Sequence, residues 1–396
     1  MRQFLATMKM PFLRKIRRHG FLTLLIIMQP FVLLSGCTAF YHGDTKRENQ
    51  SLETRLDSKV PGLLNKYNVP GAAMAIISDG EIVYSKAWGV QRAGEGSQID
   101  EQTLFEAASL TKPVFAYGVF KLVRDKKLDL DKPLSEYLQE PYIKGDERIH
   151  KITARMVLSH TSGLPNWRPE FLIKTDTGIA YSDSPGPLKI QFDPGTWFRY
   201  SAEGYNYLQH VVEDITEQRL DLYMRDAVLD PLSMNDSIFI WDEAKKSSVA
   251  MPHNEEGQVV DEWLWRFHKP MAAGTLFTTT ADFAKFLSAM LSTEEFFDSK
   301  LNQNLSAQNL ETMLQPQIEI GNQLAWSLGW GLEEHEKEWF FWQWGDNPGF
   351  KHFAVGSRSR RFAVVVFTNG QNGENVYRPI IEAVFGVKLN ALEQTD

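Results

Sequence analysis

Ser109-Leu-Thr-Lys112 is read together with Tyr200-Ser-Ala202 and the turn Gly345-Asp-Asn-Pro-Gly349. On a helix, Ser-x-x-Lys sets both side chains on one face about a turn apart, so the amine can take the proton of the hydroxyl. Acyl transfer needs that geometry. By itself the pattern is weak, because a chain of this length holds about one match by chance. Here it occurs once, and an apolar face follows through Val114, Tyr117, Gly118 and Leu122. The competing structural reading is a solvated serine near a helix start beside a surface lysine.

Composition narrows the class. An apolar fraction of 43%, with 11 Trp and 25 Phe, supplies a sizeable core and excludes a disordered chain. Residues 1–36 read as a signal peptide: Arg2, Lys9, Arg14, Lys15, Arg17 and Arg18 precede an apolar run from Phe21 to Leu34 that is too short for a membrane span. Leu34-Ser35-Gly36-Cys37 resembles a bacterial lipobox, so Cys37 is the expected lipidated N-terminus, and 37–55, polar from His42 to Gln50, the expected tether. The expected location is the bacterial cell envelope, with the domain facing the periplasm or exterior and held to the membrane through a lipid anchor. Without residues 1–36, Lys+Arg falls from 42 to 36 against 50 Asp+Glu, a net charge of −14. Such acidity disfavours nucleic acid as a partner. Cys37 is the only cysteine, which removes a disulfide framework and any cysteine-based metal site.

The hydrophobic pattern places a helix over Leu52 to Tyr67, then strands over Gly71 to Ser78 and Glu81 to Gly89. Asp79-Gly80 between them is a strong hairpin signal. Strand-like runs recur at Trp339 to Trp344, Lys351 to Val355 and Phe362 to Thr368, before a helix from Val376 to Phe385. Helical patterns fill the middle, at Lys112 to Lys126, Tyr205 to Glu217, Leu220 to Val228 and Ala281 to Leu291. The expected architecture is α+β: an antiparallel sheet built from about 56–110 and 325–390, flanked by helices, with an inserted, mainly helical lobe at about 111–324. Residues 56–390 form one domain on this reading.

Phe105-Glu-Ala-Ala-Ser-Leu-Thr-Lys-Pro113, Leu158-Ser-His-Thr-Ser-Gly-Leu-Pro165, Ala272-Ala-Gly-Thr-Leu-Phe-Thr-Thr279 and Ser327-Leu-Gly-Trp-Gly331 together carry a family resemblance. The sequence resembles the serine hydrolases related to class C β-lactamases and D-alanyl-D-alanine peptidases, over most of the chain after about Leu56. The resemblance implies a β-lactamase/transpeptidase-like fold with Ser109 as nucleophile. Lys112 and Tyr200 would share the general-base work, and an acyl-enzyme would be hydrolysed by water. A lysine and a tyrosine act as bases near neutrality only in a partly dry cleft or beside positive charge, so that setting is expected.

Two motifs depart from the family pattern. Tyr200-Ser201-Ala202 is similar to Tyr-x-Asn but carries Ala202 where Asn is usual, and Asn206 and Glu203 stand nearby without the motif's spacing. Gln343-Trp344-Gly345 aligns where the family has Lys or His, any residue, then Gly, so the cation that helps bind a substrate carboxylate is missing. The strand is still expected to lend the N–H of Asp346 to an oxyanion hole opposite that of Ser109. Alternation sends Trp342 and Trp344 to one face and Phe341 and Gln343 to the other, either as core packing or as an apolar wall for an acyl or aryl group. His160, inside the second segment, is read as structural rather than as a triad base. The nine His residues show no ligand spacing, so neither metal nor cofactor is expected. Candidate substrates rank as small esters, D-amino-acid peptides or amides, then β-lactams. The alternative is a degenerate, non-catalytic domain that binds cell-wall fragments or a partner.

Overall fold

Asp79 and Gly80 both take positive φ, 53° and 84°, the turn that a two-residue hairpin between twisted strands requires. It joins β1 (Gly71–Ser78) to β2 (Glu81–Gly89), with helix α1 (Thr45–Lys66) before them. The computed structural model describes residues 45–140, 142–169, 172–175, 178–181, 186–260, 268–293 and 304–394. Residues 1–36 and Cys37 lie outside them. From Asn49 onward the described chain is one compact unit, which carries all of the features that follow apart from the first turn of α1.

After β2 come β3 (Phe105–Glu106), a 3-10 turn at Ala108–Leu110 and α2 (Thr111–Arg124). The lobe then holds α3 (Ala154–Leu158), the hairpin β4 (Leu172–Thr175) and β5 (Gly178–Tyr181), and α4 (Ala202–Thr216). Next are α5 (Leu220–Met224), running into a π-helical turn at Arg225–Leu229, then β6 (Phe277–Thr278), α6 (Thr280–Met290) and α7 (Ala307–Met313). The chain returns to the sheet through β7 (Ile318–Gly321), β8 (Leu324–Trp326) and β9 (Gly331–His335). It closes with β10 (Glu338–Asn347), β11 (Phe350–Ser357), β12 (Phe362–Thr368) and α8 (Glu374–Phe385).

Eight antiparallel strands run in the order β2-β1-β12-β11-β10-β9-β8-β7. The period of two sorts their side chains into two cores. Ala73, Ala75 and Ile77 join Val365, Phe367 and the helices of the lobe, whereas Ala72, Met74 and Ile76 join Val364, Val366, α1 and α8. The sheet is therefore covered on both faces, and its central strands β1, β11 and β12 are buried nearly throughout rather than at alternate residues.

Two sequence expectations need adjustment. Helix α1 starts at Thr45, inside the stretch read as tether, because Thr-Lys-Arg-Glu-Asn-Gln is polar and still compatible with a helix. The sheet resumes at Ile318 rather than at about 325. Strands β7 to β9 are only three to five residues long, and their turns use Asn322-Gln323 and Glu336-Lys337 at positive φ without glycine in the paired positions. Such turns carry no Asn-Gly or Asp-Gly signature.

Two buried histidines brace the sheet as neutral rings. His352 Nδ1 accepts the Thr368 N–H (3.1 Å), and its Nε2–H donates to the Glu106 carbonyl (2.8 Å). His253 Nε2 accepts the Ala93 N–H (3.0 Å), and its Nδ1–H donates to the Asn369 carbonyl (2.7 Å). Each acceptor nitrogen faces a backbone donor, which settles the tautomer. Burial pushes His352 down to about 3 and lowers His253 as well.

Both rings bind a proton less readily folded than unfolded. Their contribution to stability is complete above pH 6.5, the ordinary histidine value, and is lost as pH falls toward the folded value. Urea unfolding at pH 7, 5.5 and 4 should show falling stability, with a shallower fall in His352→Gln; equal slopes for the two proteins would refute the brace. A second expectation concerns Gly331, where an added Cβ would lie 2.5 Å from the buried ring of Trp342. Gly331→Ala should cost about 1–3 kcal/mol by overpacking. A denaturant midpoint within error of wild type would mean that the ring can yield.

Candidate active site

The nucleophile segment is wedged between the sheet and the lobe. Ala107 N–H donates to Leu276 O (2.7 Å), and the Thr111 hydroxyl donates to Ala108 O (2.6 Å) while accepting the Leu276 N–H (3.1 Å). Ala108 is held at φ 49°, a left-handed conformation that costs a non-glycine residue on the order of 1 kcal/mol. This strained residue lifts the 3-10 turn out of β3 and presents Ser109, half-buried, at the start of α2. On the other side, β10 comes so close that a Cβ at Gly345 would stand 2.6 Å from Ala107 O.

Lys112, the second residue of α2 and three residues after Ser109, is 1% exposed. Its Nζ donates to Ser109 Oγ (3.1 Å) and to Ala273 O (2.8 Å), and sits 4.8 Å from the centroid of the Tyr200 ring and 5.7 Å from that of Tyr205. The expected Ser109–Lys112 pair is thus in direct contact. The Ala272-Ala-Gly-Thr segment also gains a physical role, because its Ala273 carbonyl aims the amine.

Tyr200 stacks on Trp344 (centroids 5.1 Å apart, 29° between planes) and meets the edge of Trp326 at 5.7 Å. His160 grips it from the chain. The carbonyl of His160 accepts the Arg199 N–H (2.8 Å), its Nδ1 accepts the Ser201 N–H (3.0 Å), and its ring lies 4.3 Å from that of Tyr200. Burial and the neighbouring charge of Lys112 hold the His160 pKa well below the ordinary value, so the ring is neutral. With Nδ1 occupied by a backbone donor and Nε2 buried without a partner, it is a support for Tyr200 and not a triad base.

Gln343 occupies the position of the missing cation, fully buried. Its Nε2 donates to Tyr200 Oη and to Trp344 O, both at 3.0 Å, which uses both amide hydrogens. Gln343 Oε1 is buried with no hydrogen-bond partner. The amide therefore orients Tyr200 and has no remaining hydrogen to offer a carboxylate. Trp342 and Trp344 share a face as expected, but only Trp342 is wholly core, whereas Trp344 backs Tyr200. The pairing of β9 with β10 stops at Trp342↔Gly331, so residues 343–347 have no β9 partner on that edge. The Asp346 carboxylate pairs with Lys351, its cross-strand neighbour on β11, on the face of Trp342 and Trp344. Only the backbone of Asp346 belongs to the edge beside Tyr200.

Ala202 is buried where the family motif carries Asn. Glu203 does not take over that role. Its two oxygens are bound by Arg168 Nε (2.9 Å) and Nη2 (2.7 Å), a pair that fixes the first turn of α4. Asn206, one turn further along α4, has its Oδ1 buried without a hydrogen-bond partner. Sequence reading missed Glu106, His352 and Asn347. Asn347 and His352 hold the nucleophile strand through the Glu106 carboxyl and carbonyl respectively. The one available signal was a glutamate inside the otherwise apolar Leu104-Phe-Glu-Ala-Ala108. Among the described residues, no group of His, Cys, Asp and Glu is placed to hold a metal ion.

Comparison with known proteins agrees with this fold. The chain is 29% identical over 303 residues to Penicillin-binding protein 4 of Amycolatopsis lactamdurans, covering 73% of this chain and 76% of that one. It is 24% identical over 330 residues to Protein flp of Staphylococcus aureus strain N315, where the match takes in 82% of this chain but only 64% of the relative. Among solved structures, the D-alanine carboxypeptidase AmpC from Burkholderia cenocepacia superposes with a TM-score of 0.70 at 17% identity, over 85% of this chain and 99% of that one. The octameric penicillin-binding protein homologue from Pyrococcus abyssi gives 0.67 at 21% identity, over 85% and 78%. The Beta-lactamase family model matches residues 56–385, most of the chain, and the chain belongs to that family.

Proposed function

We propose that the chain is a serine hydrolase that cleaves small esters, and less readily amides, through an acyl-enzyme on Ser109. The observation that carries this reading is the 3.1 Å contact between a buried lysine amine and a half-buried serine hydroxyl. With Lys112 as the free amine, Ser109 Oγ attacks the substrate carbonyl carbon as its hydroxyl proton passes to Lys112 Nζ. The tetrahedral oxyanion is received by the N–H of Ser109 and that of Asp346. Trp344 O accepts the Gln343 side chain at the edge that β9 leaves, and strand periodicity turns the backbone of residue 346 to the same edge. The carbon–leaving-group bond then breaks as the leaving group takes a proton, relayed by Lys112 and Tyr200. Tyr200 Oη already accepts from Gln343, so its own proton is directed to another acceptor. Water repeats the sequence on the acyl-enzyme and regenerates the Ser109 hydroxyl.

Substrate preference follows from what the cleft does not offer. No cation stands at 343, both Gln343 amide hydrogens are spent, and no amide stands at 202 to hold a substrate acyl-amide group. These features favour neutral esters, with an apolar acyl group against Trp344, over D-amino-acid peptides and amides, and those over β-lactams. Residues 1–36 and Cys37 support a lipid-anchored protein of the bacterial cell envelope, released from its signal and facing the periplasm or exterior. Substitution at 202 and 343 also favours a second reading, a binding domain without turnover.

Incubating the full chain with a fluorophosphonate and measuring intact mass separates the two. One adduct on wild type and none on Ser109→Ala is expected, with Lys112→Ala slowed by about 10²–10⁴-fold. No adduct on folded wild type would select the binding domain. Gln343→Lys should raise kcat/KM for a carboxylate-bearing amide relative to a neutral ester by about tenfold, the value of one charge-assisted hydrogen bond. An unchanged ratio would remove position 343 as the source of substrate preference.

A further inference from the structure

Glu106 is the one fully buried carboxyl beside the nucleophile among the described residues, and acyl transfer as laid out above does not use it. It lies three residues before Ser109, on the two-residue strand β3. One carboxyl oxygen, Oε1, accepts from the Asn347 side chain, and the other, Oε2, is buried without a hydrogen-bond partner. Its carbonyl receives the His352 Nε2–H at 2.8 Å. The next carbonyl, that of Ala107, is the group that leaves no room for a side chain at Gly345. Residues 106–107 are therefore held against 345–352 by the Asn347 side chain on the Glu106 carboxyl, by the His352 ring on the Glu106 carbonyl and by close contact.

A buried polar group with an unsatisfied oxygen is costly, and an apolar residue would fill the same space without that cost. What the carboxyl adds is the bond to Asn347, the residue directly after Asp346. We propose that Glu106 is a positioning residue for the acyl-transfer reaction: through Asn347 it fixes the end of β10 at a set distance from the turn that carries Ser109. This assignment rests on the acyl-enzyme reading, because the distance it fixes is the span between the two oxyanion donors.

The bond has a pH range. Burial pushes the Glu106 carboxyl up to about 8, opposed only in part by the hydrogen bond from Asn347. Titratable groups on the elements packed around it offer no compensation. His352 on β11 is held neutral, and Lys351 on β11 pairs with Asp346 of β10 on the opposite face of the sheet. Lys112 of α2 directs its amine to Ser109 and Ala273, and the β6 residues beside β3, Phe277 and Thr278, carry no charge. Below about pH 8 the carboxyl is neutral. Above it, an uncompensated negative charge appears three residues from Ser109, where it opposes a developing oxyanion and draws the segment toward water.

The test is the rate of Ser109 labelling by a fluorophosphonate on the full chain, compared at pH 7 and pH 9 for wild type, Glu106→Gln and Glu106→Ala. With a value near 8, the neutral fraction falls about tenfold across that interval, so the wild-type rate should fall about tenfold relative to Glu106→Gln. Glu106→Ala should label more slowly than Glu106→Gln at both pH values while keeping a cooperative thermal transition. The proposal is overturned if wild type and Glu106→Gln share one pH profile, or if Glu106→Ala, folded, labels as fast as wild type at pH 7. Absence of any labelling in wild type is a different outcome: it would remove the acyl-enzyme reading, and this proposal with it.

Discussion

No side chain fits at position 345. Strand β10 and the turn carrying Ser109 touch there through bare backbone, and the rest of the site is arranged around that contact. Because the strand can approach so closely, its free edge comes level with the nucleophile. Because β9 leaves β10 at Trp342, that edge stays open. Tyr200 fills the space beside it, and Lys112 closes it from α2. On the proposed mechanism, sheet and lobe contribute complementary halves: backbone donors from the strand, proton carriers from the lobe.

Holding such a site requires many polar groups out of water, and the structure handles them by removing charge rather than pairing it. His160, His352 and His253 all stand as neutral rings whose acceptor nitrogen meets a backbone N–H. Each satisfies a donor that loop geometry would leave orphaned, without the desolvation cost of an imidazolium. Burial likewise raises Glu106 and Glu333, the latter accepting the N–H groups of Asn390 and Ala391. Buried carboxylates that do meet a cation include Glu203 with Arg168, at the opening turn of the helix that follows Tyr200, and Asp282 with Lys285 in α6.

Much of this architecture was legible because it obeys short-range rules. The Asp79-Gly80 hairpin and the strands on either side carry their own turn chemistry and apolar runs, and they fold as read. Helices α2, α4, α6 and α8 show a 3.6-residue period and end within a few residues of expectation. Strands β7 to β9 escaped because their signals are three to five residues long. At the site, Ser109, Lys112 and Tyr200 could be found from spacing and motif. The Glu106–Asn347 and His352–Glu106 bonds could not, since they join residues about 240 positions apart whose neighbours betray nothing. Gln343 was visible as a lost cation, but not as a support for Tyr200, because only folding brings strand and loop together.

The order of strands also governs when a reactive serine can exist. Strand β12 sits between β1 and β11, and Ala72 finds its partner in Thr368, so the sheet stays open until nearly three hundred residues of chain have been laid down. Strands β10 and β11, which wall the nucleophile and anchor its carbonyls, arrive only shortly before β12. A chain stalled upstream of them carries the serine and the lysine without the strand wall that Gly345 brings against Ala107. Completion of synthesis, and then closure across long sequence separation, thus has to precede the assembly of the surroundings that the proposed nucleophile requires.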